Sequence, residues 1–332
     1  MRSVAALLLF LLADDPRIAD GIKLHDRGQY EEAVAQYRAV LADDPKNEMA
    51  AYELALSLEA QGKYPECRAA IEPLSKRKGS LQGPALTVLG NCLDGGGDAK
   101  AAAAVYKRGM KIRPDDPNLL YNYAVTLVRL GNYDEARKLL KKELTLRPDH
   151  ASGHYALAQV FQHQGFRGPA VLSYLRMFAY ELGTTRAKEA SQNLVALLGA
   201  GVSSADGKNV TITVDASPRT DEGDYGGWQM MMAFAAGARD LGDNEKKNEF
   251  DKTRGQIHTS LLMLLETADK GRDFTAKQNI PFFAALDKEK LLETYTAAAI
   301  LPLDLPGEAT WVEANRENLQ KLAAFIAKYR SR

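Results

Sequence analysis

Residues 117–148 read PNLLYNYAVTLVRLGNYDEARKLLKKELTLRP, and this stretch decides the fold. Leu120, Tyr123, Ala124 and Leu127 recur at helical spacing before Gly131, and Ala136 and Leu140 do so after it. Gly131 is placed to end the first helix in a left-handed cap, and Pro148 cannot continue the second. The stretch is therefore a helix-turn-helix hairpin with one apolar face. The same phrase returns at Gly28, Gly62, Gly97 and Gly165, so the five glycines are separated by 34, 35, 34 and 34 residues. A hairpin of this kind buries its apolar face only by stacking on copies of itself, which predicts a helical repeat array.

Aligning the hairpins makes a family resemblance explicit. The unit around Gly97 supplies Leu86, Leu89, Gly90 and Leu93, then Ala102, Tyr106 and Pro114. The preceding unit has Ala51, Leu54, Ala55, Leu58, Gly62, Tyr64, Cys67, Ile71 and Leu74, and ends on Gly79. The first has Gly21, Leu24, Gly28, Tyr30, Ala33, Tyr37 and Pro45, with Arg17 and Asp20 at apolar places. The fifth, from about Ala151 to Thr184, keeps Leu157, Ala158, Phe161, Gly165, Ala170 and Tyr174. This alternation of bulky, small and aromatic residues resembles the tetratricopeptide repeat. The resemblance implies a mainly α fold: a right-handed α-solenoid of about five hairpins whose first helices line a concave groove.

Small residues stand where two helices must cross closely, so Ala124 is expected to meet Ala136, and Ala158 to meet Ala170. Residues 186–198 read as a capping helix with Leu194, Leu197 and Leu198 on one side. The array is thus expected to span residues 14–198.

Of 332 residues 45% are hydrophobic and 26% charged, and Lys+Arg equals Asp+Glu at 43 each. That composition predicts a folded chain and supplies no electrostatic reason for a nucleic-acid partner. Residues 1–13 place Arg2 before an apolar run from Val4 to Ala13, which reads as a signal peptide and predicts export, periplasmic or secreted. The alternative is an extra helix on the first repeat in a cytoplasmic protein. Ten apolar residues are too few to span a bilayer as a helix, so no integral membrane segment is expected in the mature chain. Cys67 and Cys92 read as buried packing residues.

After Gly199 the period stops. Residues 199–227 combine a short β-strand or hairpin at Val210–Val214, after the Asp206-Gly207 turn signal, with an Asp/Gly-rich linker. Residues 228–332 read as a helical C-terminal module. Trp228, Met231, Met232 and Leu241 mark its first helix; Ile257, Leu261, Leu262 and Leu265 mark its second. Further helices are expected over 288–300 and 308–329, with Pro281-Phe282-Phe283 between the first pair and these.

Catalysis needs groups that converge, and no motif here predicts it. The five histidines lack metal-ligand spacing, and the glycine-rich run at Asp94–Asp98 lacks the lysine of a phosphate loop. No catalytic residue, metal or cofactor is expected, and the chain is read as a non-enzyme.

The inner-face register implied by the resemblance places Ile18 and Ile22 in the groove, then Met49, Tyr52 and Leu56. The third unit adds Thr87 and Asn91; the fourth adds Asn118, Tyr121, Val125 and Arg129. The fifth gives Ser152, Tyr155, Gln159 and His163. Tyrosines interleaved with aliphatic and amide side chains suit an extended or helical protein segment. Asn91 and Asn122 stand at two asparagine places of the carboxylate clamp known in the family, but Thr87, Ser152 and Ala156 replace its cations, so that specialisation is not expected. The leading expectation is a bacterial adaptor or scaffold that binds a protein or peptide, for example in assembly of an envelope complex. The alternatives are an enzyme with a C-terminal catalytic module fed by the repeats, and a self-associating structural protein; oligomeric state is left open.

Overall fold

A computed structural model describes residues 15–200, 202–204, 210–212, 222–241, 247–267 and 273–330. The signal-peptide reading of residues 1–13, the Asp206-Gly207 turn and most of the acidic linker lie outside the described residues. By their contacts, residues fall into two units, Met1–Glu143 and Leu144–Arg332.

In the first unit the helices alternate in antiparallel hairpins: α1 (Pro16–Asp26), α2 (Tyr30–Asp43), α3 (Glu48–Ala60), α4 (Tyr64–Lys76), α5 (Gln82–Gly95), α6 (Ala99–Ile112) and α7 (Pro117–Arg129), followed by α8 (Tyr133–Leu146), which crosses the division. Each first helix ends where its backbone must turn left-handed. Gly28, Gly62, Gly97, Gly131 and Gly165 have φ between 71° and 89°, a region costly for any residue with a Cβ. At Gly131 the amides of Gly131 and Asn132 bond back to the carbonyls of Val128 and Leu127, so the orphan helix-end acceptors are satisfied. Side-chain caps start several helices: Asp15 accepts from the Arg17 amide at 2.9 Å, Asn47 from Ala50 at 3.0 Å, and Asp116 from Asn118 at 3.0 Å.

The small places of the repeat are the crossing points. Ala33, Cys67, Ala102, Ala136 and Ala170 are all fully buried, as are Ala124 and Ala158. Four residues further on, Tyr37, Ile71, Tyr106, Leu140 and Tyr174 are equally enclosed. Gly90 has no room for a side chain, because a Cβ there would run into the Tyr106 ring of the same hairpin. Ile18 and Ile22, assigned to the groove by register, are instead core residues at 1% and 7% exposure. The first helix has few other apolar residues to anchor it, so these two turn inward.

Cys67 on α4 and Cys92 on α5 are buried, and they are joined as a disulfide with Cα atoms 5.9 Å apart. This corrects their reading as packing residues alone. Stacking consecutive repeats brings the small place of one second helix against the next first helix, and that juxtaposition is invisible in the local sequence.

In the second unit the hairpin of α9 (Ala151–His163) and α10 (Arg167–Met177) packs with α11 (Thr185–Gly199). Every residue of α10 from Gly168 to Met177 is buried, which a surface hairpin could not achieve. Helix α11 has Leu194, Leu197 and Leu198 buried, and Ser191 donates to the Ala299 carbonyl at 2.6 Å. Strands β1 (Val202–Ser204) and β2 (Val210–Ile212) pair antiparallel, with Val202 opposite Ile212. Helices α12 (Gly226–Leu241), α13 (Glu249–Thr267), α14 (Phe274–Lys288), α15 (Leu292–Ala298), α16 (Glu308–Ala314) and α17 (Arg316–Arg330) complete the unit.

Three features differ from the sequence expectation. Pro281 sits inside α14, because the Asp273 cap (to the Ala276 amide, 2.7 Å) and burial of Ile280, Phe282, Phe283 and Leu286 hold a helix through it. The helix expected from Lys288 starts at Leu292, after Lys290 adopts φ 58°. The helix expected over 308–329 breaks at Asn315, whose side-chain amide donates to the Trp311 carbonyl at 2.9 Å and competes with the helical pattern.

Candidate functional site

The first helices of four successive hairpins in the first unit enclose a groove of about 490 Å³. From α3 come Leu56, Glu59 and Ala60, from α5 Asn91, Asp94 and Gly95, and from α7 Tyr121, Asn122, Val125 and Arg129, with His25, Tyr64 and Tyr106 completing the lining. This is a size that accommodates a few side chains of a ligand.

Its floor is a polar network centred on Asn91. The Asn91 side-chain amide donates to Glu59 Oε1 at 2.9 Å. Its oxygen accepts from the Tyr106 hydroxyl at 2.7 Å and from Asn122 Nδ2 at 2.8 Å. Two donors on one oxygen leave a single orientation of the amide, so its N–H is aimed at Glu59 by construction. Burial pushes the Glu59 carboxyl up to about 7, against the opposing effect of the Asn91 hydrogen bond. Tyr106 is raised from its ordinary value too, by burial first and then by the charge of Glu59. Arg129 forms an ion pair with Asp94. The other carboxylate oxygen of Asp94, Oδ1, is shielded from water and has no hydrogen-bond partner among the described residues. His25 Nδ1 lies 2.8 Å from the Ser57 hydroxyl.

Of the residues expected in the groove, Leu56, Asn91, Tyr121, Val125 and Arg129 line this cavity. Met49 and Tyr52 are partly buried against the hydrophobic core, and Asn118 is exposed near the start of α7; none of the three lines it. Glu59 and Asp94 were not anticipated. Each lies three residues beyond an anticipated one, Leu56 and Asn91, so extending the inner-face register by one helical turn finds both.

In the second unit, α9 carries Tyr155, Gln159 and His163. Gln159 donates to the Tyr155 hydroxyl at 3.0 Å, the Arg186 guanidinium lies 5.7 Å from the Tyr155 ring centre, and Tyr155 meets Tyr174 edge-on at 6.0 Å. Ser152, one of the places where the clamp needs a cation, accepts from Arg186 at 2.7 Å. His163 is exposed. Among the described residues no group of three or more His, Cys, Asp or Glu side chains is placed to hold a metal ion, and no helix is long and apolar enough to cross a membrane.

Comparison with known families places matches along the hairpins. A model described as TPR repeat matches residues 21–62, and two described as tetratricopeptide repeat match residues 52–117 and 95–164. A search of curated proteins finds no match. Among solved structures, a thermophilic TPR protein of Thermus thermophilus is 20% identical, over 55% of this chain and 97% of its own, with a TM-score of 0.45. MamA is 18% identical over 47% of this chain and 91% of its own, at 0.43. YrrB, described as a TPR protein with an unusual peptide-binding site, is 18% identical over 55% and 84%, at 0.38. The period, the glycine caps and the three family matches agree: residues 21–164 of this chain are tetratricopeptide repeats.

Proposed function

We propose that the chain is a non-enzymatic adaptor that holds a segment of another protein in the groove of the first unit. The observation that carries this reading is the cavity itself, in which aliphatic and tyrosine side chains (Leu56, Tyr121, Val125) stand around a fixed polar floor. Apolar anchors provide contact area, and oriented amides provide direction, the combination that peptide sites use. Solenoids build such concave surfaces from successive repeats. Export to an oxidising compartment, and a part in assembling an envelope complex, belong to the same proposal; the Cys67–Cys92 disulfide supports the compartment, since such bonds persist where thiols are not kept reduced.

The test is selection of dodecapeptides from a displayed random library on the full chain, followed by measurement of their affinity for a Val125→Arg variant with the parent's circular dichroism and melting temperature. Binding that disappears in the variant is the expected result. Peptides that bind parent and variant alike would place the site elsewhere and remove the groove reading. The compartment is tested by alkylating protein taken from its native cell without reductant: reactive Cys67 and Cys92 thiols would overturn export to an oxidising space.

A further inference from the structure

The lining of the groove holds more carboxyl groups than cations. Glu59 and Asp94 contribute two carboxylates to the lining, while Arg129 is the cation among the described lining residues and is already paired with Asp94. Glu59 receives the neutral amide of Asn91, which orients it but brings no charge. A carboxylate removed from water without a cation is costly, and native structures normally avoid the arrangement by pairing it. Among the described residues none supplies Glu59 with a cation, and a group that would do so has several N–H donors and a positive charge.

We propose that the segment held in the groove carries a lysine or arginine side chain whose cation binds against Glu59 and Asp94, its aliphatic stem lying along Leu56 and Val125. The inference rests on the groove being a peptide site, as proposed above. A long basic side chain suits both halves of the cavity, because its methylenes cover apolar wall while its head reaches the floor. Specificity follows from the same geometry: a neutral side chain in that place leaves Glu59 without a cation, whereas a guanidinium or ammonium supplies one. Glu59 holds its proton up to about pH 7, so capture of the cation releases that proton, and affinity rises with pH across neutrality. The other titratable or charged groups of the same lining are His25 from α1, Tyr64 from α4, Asp94 from α5, Tyr106 from α6, and Tyr121 and Arg129 from α7, and Arg129 competes with the incoming cation for Asp94.

The experiment uses dodecapeptides selected on the full chain and lost in Val125→Arg, or in Tyr121→Ala should the arginine variant melt below the parent. These are expected to share a lysine or arginine at one position. Replacing it by norleucine or citrulline should weaken binding about tenfold or more, the scale of a charge-assisted hydrogen bond. Glu59→Gln should lose a similar factor, and in that variant the norleucine substitution should have little further effect, since the two changes remove one interaction. Parent affinity should also rise between pH 6 and 8, while Glu59→Gln stays flat. Groove-dependent peptides without a basic preference, or equal losses from norleucine in parent and Glu59→Gln, would overturn this inference and leave the groove reading standing. If no peptide depends on the groove, the groove reading fails and takes this inference with it.

Discussion

Replacing Glu59 by glutamine should make the protein more stable at pH 8 and leave it unchanged near pH 4. Burial raises the folded-state carboxyl to about 7 from the ordinary 4.5, so the folded protein retains a proton that the unfolded chain releases earlier. Stability contributed by this group is therefore greatest below pH 4.5, falls as pH rises from 4.5 to 7, and stays low above that. At 1.36 kcal/mol per pKa unit the loss amounts to about 3 kcal/mol, an upper value because Glu59 is only partly buried. Glutamine has nearly the same shape, can accept the Asn91 N–H, and bears no charge at any pH. Urea unfolding of parent and variant at pH 4 and pH 8 measures the effect as a difference of differences, which cancels every other titrating group. Curves that stay superimposed at pH 8, or a variant less stable there than at pH 4 relative to the parent, would refute the claim that Glu59 is a desolvated carboxylate at the groove floor.

Gly90→Ala should destabilise the chain by about 1–3 kcal/mol in spite of alanine's better helix propensity, because the new methyl meets the buried Tyr106 ring; an unchanged melting temperature would contradict the crossing described here. Reducing the Cys67–Cys92 bond, whose partners are 25 residues apart, should lower stability by about 3 kcal/mol on a chain-entropy estimate, seen as a fall in denaturant midpoint with dithiothreitol that a Cys67→Ala, Cys92→Ala double variant does not show. His154 is buried with Nε2 on the Pro148 carbonyl at 2.9 Å, and desolvation lowers it from 6.5 to about 3. Because the unfolded chain takes up a proton that the fold refuses, stability is lost as pH falls from 6.5 toward 3, the opposite sign to Glu59. His154→Gln should flatten that part of the stability-pH profile, and an identical acid limb in urea melts of the variant would count against a neutral buried imidazole.

The repeat could be read from the chain because each element of it is a local requirement. Left-handed turns call for Gly28, Gly62, Gly97, Gly131 and Gly165, and close crossings call for Ala102, Ala136 and Ala170; the structure places the first group at positive φ and the second at zero exposure. Outside the repeat, local signals misled. Pro281-Phe282-Phe283, expected between helices, lies inside one that tertiary burial maintains, and Asn315 interrupts one that looked continuous. Ile18 and Ile22 have the register of groove residues, yet the poor apolar content of α1 draws them into the core.

What the sequence determined by itself is the array: its period, its caps, its small crossing places, and the approximate inner face on which Leu56, Asn91, Tyr121, Val125 and Arg129 lie. The tertiary structure alone decided the chemistry of that face. Glu59 is an ordinary surface-type residue in the sequence and becomes a desolvated carboxylate only when α5, α6 and α7 bring Asn91, Tyr106 and Asn122 together beside it. Cys67 and Cys92 become a disulfide only when stacking sets α4 against α5. Periodicity is a property of neighbours three and four apart along one helix, whereas ionisation, pairing and cross-linking depend on the distance between side chains that lie a full repeat apart in the chain.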